Sequence, residues 1–187
     1  MNEVLPKMLR WWGLIPLSLF LVRFIEYVFI LRTPVHILWS CHIANLFLAV
    51  GLFFLNKPLI RVTSYLLIMG VLPWLIDVIV YGEVNFTSIL SHLAGGVVAG
   101  RLLQMVGVIK WDWCFALAFF LLLQQFTRLV TEAGPYTNIN LAHYAYGSLS
   151  DRFNNYFEYW VFSTIVTGFM TWTIESFALH FKSSQVR

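Results

Sequence analysis

Charge is what this chain has least of. Of its 187 residues, 12 are Lys or Arg and 9 are Asp or Glu, so 11% are charged while 59% are apolar. With a mean hydropathy of +0.75, so sparse a charge excludes a soluble globular domain and marks a polytopic membrane protein. The net charge of +3 is spread over few residues. It is the bias of membrane loops, and no nucleic acid is expected as a partner. Cysteine is nearly lacking too, with two residues. Cys41 enters its apolar segment from the outer side and Cys114 from the inner side, which excludes disulfide geometry and leaves two free thiols. Internal repeats, low-complexity tracts and heptads are missing. No length is left over for a folded soluble domain, so residues 1–187 read as one transmembrane helical domain.

What the chain does have is six apolar runs, at about 12–30, 36–55, 59–81, 86–105, 113–130 and 159–179. Each approaches or exceeds the roughly 17–25 residues that cross the hydrocarbon as a helix. The expected fold class is all-α, a compact six-transmembrane-helix bundle. Lys7, Arg10, Lys57, Arg61, Arg101, Lys110, Lys182 and Arg187 fall on the face that holds both termini, and Arg32, Arg128 and Arg152 on the other. That imbalance places both termini in the cytoplasm. The first run follows basic residues, as a signal peptide does. It lacks a small-x-small cleavage site and carries Arg23 and Glu26, so it is read as retained. The compact size favours a bacterial inner membrane.

The connections are short except for the outer loop 131–158. This loop holds Gly134-Pro135, an Asn-Ile-Asn stretch, His143 and an aromatic approach to the last span. A loop of that length in a small bundle is usually a lid, a binding element or a helix in the interface. Asn85-Phe86-Thr87 matches a glycosylation sequon but abuts a span, and is expected to go unused.

The few polar residues inside the spans converge on one level. An ionisable side chain in lipid is costly and is by default a functional-site hypothesis. Counting depth along each run puts Glu26, Cys41, His42, Asp77, Ser91, His92 and Arg128 near the same outer-leaflet height. Cys41 and Asn45 are one turn apart, and His42 and Asn45 three residues apart. Ser88, His92, Gly96 and Gly100 form a stripe whose small residues let a second helix approach, so His92 is expected to face protein. Gly70, Pro73, Asp77 and Tyr81 line another stripe, and Pro73 should bend its helix. Gln124, Arg128 and Glu132 line a third. Arg23 and Glu26, three apart, are expected to form a structural ion pair.

A cysteine nucleophile needs a base to form thiolate, and a carboxylate can orient that base. Cys41, His92 and Asp77 are the right residue types at one depth. Arg128, His143, His42, Asn45, Ser91 and Glu132 are the candidates for binding a substrate headgroup or oxyanion. The blander reading of each stands beside it. A cysteine in a span is otherwise a small packing residue, an intramembrane histidine an interhelical hydrogen-bonder, and Asp77 a counter-charge for Arg128 or a histidine.

The Cys41-His42 pair opening the second span, followed by Ser91-His92 in the outer half of the fourth, resembles the YwaF-like integral membrane family. That family is similar to eukaryotic intramembrane lipid acyltransferases with a Cys/His dyad. More remotely it resembles the androgen-induced-protein type of fatty-ester hydrolase, which has Thr in place of Cys. The resemblance covers roughly 39–100 and implies Cys41 as nucleophile and His92 as base.

The expected function is therefore a cysteine-dependent acyltransferase or hydrolase acting on a membrane lipid or lipid-linked substrate at the outer leaflet. It would need no cofactor and no metal, and membrane lipids would be its partners. Three rivals remain open at this point. A small-solute transporter or channel would use the same groups, although polar residues thin out toward the inner side and no inverted repeat is visible. A haem or redox protein would use His42, His92 or His143 as axial ligands. An accessory subunit would pack on a larger membrane protein.

Overall fold

The computed structural model describes residues 6–82, 85–134, 138–144 and 151–184, with side chains described for all of these except 77, 80, 81 and 181–184. The described residues are helical nearly throughout, and no strand occurs among them. Among the described residues there are seven α-helices: α1 Leu14–Ile25, α2 Ser40–Phe53, α3 Lys57–Tyr81, α4 Phe86–Ile89, α5 Gly95–Val106, α6 Asp112–Val130 and α7 Tyr156–Ser184. A 3-10 turn, Lys7–Gly13, leads into α1, and a π turn, Glu26–Ile30, extends it; a second π turn, Leu90–Ala94, joins α4 to α5. Four continuous helical stretches are long and apolar enough to cross a membrane: Lys7–Ile30, Lys57–Ile76, Phe86–Val106 and Asp112–Val130.

The helix ends follow from local chemistry. Asn56 caps α3 by accepting from the Leu59 amide at 3.0 Å, with Pro58 in the first turn where its missing N–H costs nothing. Gly82, in the left-handed region at φ 68°, closes the same helix. Asn85 caps α4 through the Ser88 amide at 2.7 Å. At α7 the Asn155 side chain accepts from the Glu158 amide at 3.0 Å while Glu158 accepts from the Asn154 amide at 2.9 Å, a reciprocal cap. The start of α6 is capped from another helix: Glu175 of α7 accepts from the amides of Trp111 and Trp113, each at 3.0 Å. Beside it Arg61 pairs with Asp112 at 2.8 Å, both largely buried.

Helix α3 is the hub. It packs on α2, α5, α6 and α7, while α2 also packs on α1 and α6 on α7. Ala44, Leu48 and Leu52 of α2 are fully buried, as are Ile60 and Leu66 of α3 and Leu102 of α5. Large apolar side chains such as Leu129, Ile79, Phe54 and Val97 are exposed, as a lipid-facing surface requires. Gly96 brings α5 against α3, because a Cβ there would lie 2.8 Å from Val71 Cγ2; at Gly100 a Cβ would meet nothing within 4 Å. Close packing along the small-residue stripe is therefore concentrated at Gly96.

The second apolar run departs from expectation. In place of one helix over 36–55, a 3-10 turn, Pro34–Leu38, is followed by a break at Trp39, whose ψ is 133°, and α2 starts at Ser40. The physical reason lies in the outer loop. Asn140, itself in the left-handed region at φ 55°, presents its amide to the break and satisfies backbone groups that a continuous helix would have paired.

Candidate functional site

The break at Trp39 puts Cys41 and His42 in the first turn of α2, both buried in the bundle. The Cys41 sulfur lies 3.6 Å from Nδ1 of His42. Among the contacts of described residues, His42 and not His92 is the histidine that meets the thiol. Gly70 of α3 is the residue beside it, since a Cβ there would stand 3.8 Å from Cys41 Cβ.

Asn45, one turn further in, donates Nδ2 to the Cys41 carbonyl at 2.9 Å, and its Oδ1 is buried without a hydrogen-bond partner. A Cβ at Gly95 would lie 3.5 Å from that oxygen. Cys41 and Ser91, each four residues earlier than this pair, therefore stand at one level across α2 and the second π turn. Ser91 is buried, and its hydroxyl lies 3.1 Å from the Ser88 carbonyl and 3.3 Å from His92 Nδ1.

Among the described side chains, His92 is held by Ser88 and Trp74. Its Nδ1 lies 2.9 Å from the Ser88 carbonyl, which can only accept, so Nδ1 carries the proton and Nε2 is left as the basic nitrogen. The ring stacks on Trp74 at 5.1 Å and 6°, and Trp74 Nε1 donates to Ser88 Oγ at 2.9 Å. Among the described groups, a backbone carbonyl and an indole orient this imidazole. The side chain of Asp77, expected to orient it, lies outside the described residues. Its backbone position is seven residues beyond Gly70 along α3, about 10 Å from the level of Cys41.

Arg23 and Glu26 do more than pair. Arg23 Nη1 lies 2.7 Å from Glu26 Oε2 and 2.6 Å from Thr87 Oγ1, and reaches Asn85 Oδ1 at 3.4 Å. Thr87 in turn lies 2.7 Å from Glu26 Oε2. Arg23 Nη2 donates to the Tyr27 hydroxyl, and its guanidinium carbon sits 4.5 Å from that ring. Tyr27 then touches both His36 and His42, at ring separations of 5.3 and 5.6 Å. A continuous chain, Arg23–Tyr27–His42–Cys41, links the first helix to the thiol. Asn85 of the sequon is part of this network through its side-chain oxygen.

Arg128, His143 and Glu132 belong to a different place. The Arg128 guanidinium lies 3.2 Å from the centre of the Tyr156 ring. His143 Nε2 lies 2.8 Å from Thr131 Oγ1, and Glu132 is exposed just past the end of α6. Thr131 gives its one hydroxyl proton to the Thr127 carbonyl at 2.7 Å, so His143 is the donor in that pair. Partial burial, and then the nearby Arg128 charge, push the His143 pKa below its ordinary 6.5, against the opposing pull of Thr131.

Asn140 connects the two places. Its Oδ1 accepts from the Ser40 amide at 2.6 Å, and its Nδ2 donates to the Leu38 carbonyl at 2.8 Å and to Thr127 Oγ1 at 3.1 Å. Gln124 of α6 holds the same turn by donating to the carbonyls of Asn140 and Leu141, and Tyr159 of α7 donates to Leu141. So part of the outer loop is a plug seated on the start of α2. Tyr27, Trp74 and Asn140 were not singled out by sequence reasoning. Tyr27 could have been, being one turn from Arg23; the other two have no local signal, nor do the two π turns that carry Glu26, Tyr27, Ser91 and His92. Such turns recur at functional sites.

A separate apolar groove of about 380 Å³ lies between α6 and α7, lined by Trp113, Leu117, Gly168 and Trp172 among others, away from the thiol. Among the described residues no group of three His, Cys, Asp or Glu side chains converges as a metal site. A scan against family models matches none, and searches of curated proteins and of solved structures find no match.

Proposed function

We propose that this protein is an intramembrane cysteine-dependent acyltransferase or hydrolase acting on an ester of a membrane lipid or lipid-linked substrate at the outer leaflet. The observation that carries the reading is the contact of a buried thiol with an imidazole, Cys41 Sγ to His42 Nδ1 at 3.6 Å, in the first turn of a helix. Burial makes a bare thiolate costly. The positive end of the α2 dipole and the Arg23 charge, which interacts electrostatically with Cys41, oppose part of that cost.

In this reading the thiol proton passes to imidazole as sulfur attacks the ester carbonyl. The carbon–oxygen bond of the leaving alcohol then breaks, and its oxygen takes the proton from imidazolium, leaving a thioester on Cys41. Water or an acceptor hydroxyl gives its proton to the imidazole, attacks the thioester and releases the thiol. His42 is the base by contact. His92, with Nε2 free and close enough to His42 to interact with it electrostatically, serves the leaving or attacking oxygen.

The proposal includes six spans with both termini in the cytoplasm of a bacterial inner membrane, α2 with its preceding 3-10 turn being the second and α7 the sixth. It includes kinship with the YwaF-like family through Cys41-His42 and His92. Incubation of the reconstituted protein with vesicles of mixed phospholipids, followed by mass spectrometry, should find a hydroxylamine-sensitive acyl group on Cys41. It should be lost in Cys41→Ala and strongly reduced in His42→Ala. Turnover that is unchanged in Cys41→Ala would refute the reading.

A further inference from the structure

Arg23 is the most enclosed cation described in the bundle's outer half, at 4% exposure, and its hydrogen bonding is incomplete. Nη1 and Nη2 are engaged by Glu26, Thr87 and Tyr27, but Nε is buried with no partner. A guanidinium offers five N–H donors in a planar fork suited to carboxylate and phosphate, and leaving one buried and unmatched is costly. Glu26 uses one edge with one oxygen, at 2.7 Å. Arg128, the cation assigned to a headgroup on sequence grounds, is instead covered by the Tyr156 ring.

We infer that Arg23, through its unoccupied Nε edge, is the anion-receiving group of the Cys41 site, and that its ligand carries an oxyanion, a lipid carboxylate or phosphodiester. This deepens the acyl-transfer reading by naming the charge class of the substrate, but rests on a different residue. Arg23 reaches the thiol through Tyr27 and His42, and its charge acts on both Cys41 and His42. The Arg23–Glu26–Thr87 network fixes the guanidinium, so an arriving anion has no side chain to order first.

The test uses Cys41 as reporter in full-length protein carrying Cys114→Ser. Two methanethiosulfonate reagents of matched size, one sulfonate and one quaternary ammonium, are compared by mass spectrometry. The anionic reagent should modify Cys41 about tenfold faster than the cationic one, the scale of one charge interacting across a partly screened site. That preference should vanish in Arg23→Gln and persist in Arg23→Lys. A preference near unity in the parent protein overturns the inference even if Arg23→Gln fails to fold, and so does an inaccessible Cys41. Protection of Cys41 by a long-chain fatty acid, by a dialkyl phosphodiester, or by both supports it and tells the two sources apart. Equal protection by the uncharged long-chain alcohol overturns it. Absence of any acyl-enzyme with the charge preference intact would remove the catalytic reading and leave an anion site.

Discussion

The side-chain amide of Asn140 spans the break before α2, accepting from the Ser40 amide at 2.6 Å and donating to the Leu38 carbonyl at 2.8 Å. One residue of the outer loop thereby replaces helical bonds that the chain gives up at Trp39. It also sets where α2 begins, and so where Cys41 and His42 sit. Asn140→Ala removes the side-chain partner of both part-buried backbone groups. It should cost about 1–3 kcal/mol of stability, read by denaturant titration in detergent, and should speed alkylation of Cys41. Unchanged stability and labelling would mean that the loop merely covers the helix start.

Gly96 and Gly100 share a stripe but face different surroundings. A Cβ at Gly96 would press on Val71 at 2.8 Å, while one at Gly100 would meet nothing within 4 Å. Gly96→Ala should therefore cost about 1–3 kcal/mol through overpacking. Gly100→Ala should be neutral, or stabilise by up to about 1 kcal/mol through helix propensity. Equal effects of the two in unfolding titrations would contradict this packing.

The two carboxylate oxygens of Glu175 cap the start of α6 from across the bundle. Glu175→Ala should destabilise by about 1–3 kcal/mol for each stranded amide, and Glu175→Gln, which keeps one acceptor, by less. Amide hydrogen exchange at Trp111 and Trp113 should rise in both variants. Protection that survives in Glu175→Ala would assign the cap to another group.

His143 gives the outer loop a pH dependence with a definite sign. Its pKa in the fold lies below the ordinary 6.5, so the unfolded chain binds the proton more readily. The stabilising contribution of neutral His143 is complete above 6.5 and is lost as pH falls from there toward the lowered folded value. Protection of the 138–144 backbone against exchange should drop as pH falls below about 6.5, and His143→Gln should flatten the profile. A drop on the alkaline side instead would reverse the assigned shift.

Much of the helical layout was readable from hydropathy, because spanning length and apolar content are properties of single segments. α3 and α6 lie close to their expected bounds, and α4 with α5 runs through as one stretch. Counting turns set Cys41, His42, Ser91 and His92 at one height. Counting could not choose the imidazole at the sulfur. That depended on which ring a helix start, a π turn and Trp74 aim where, and no period along one helix encodes those.

The sequence by itself determined that the chain is apolar and helical, and which scarce polar residues lie in its apolar runs. These follow from local composition, spacing and backbone hydrogen bonding. Tertiary structure alone decided that Asn140 ends the helix before it starts again at Ser40, that Tyr27 carries Arg23 to His42, and that Arg128 is covered by Tyr156. The physical reason is that a buried polar group must find its partner wherever packing brings one. In this bundle those partners are up to about a hundred residues away, as between Leu38 and Asn140.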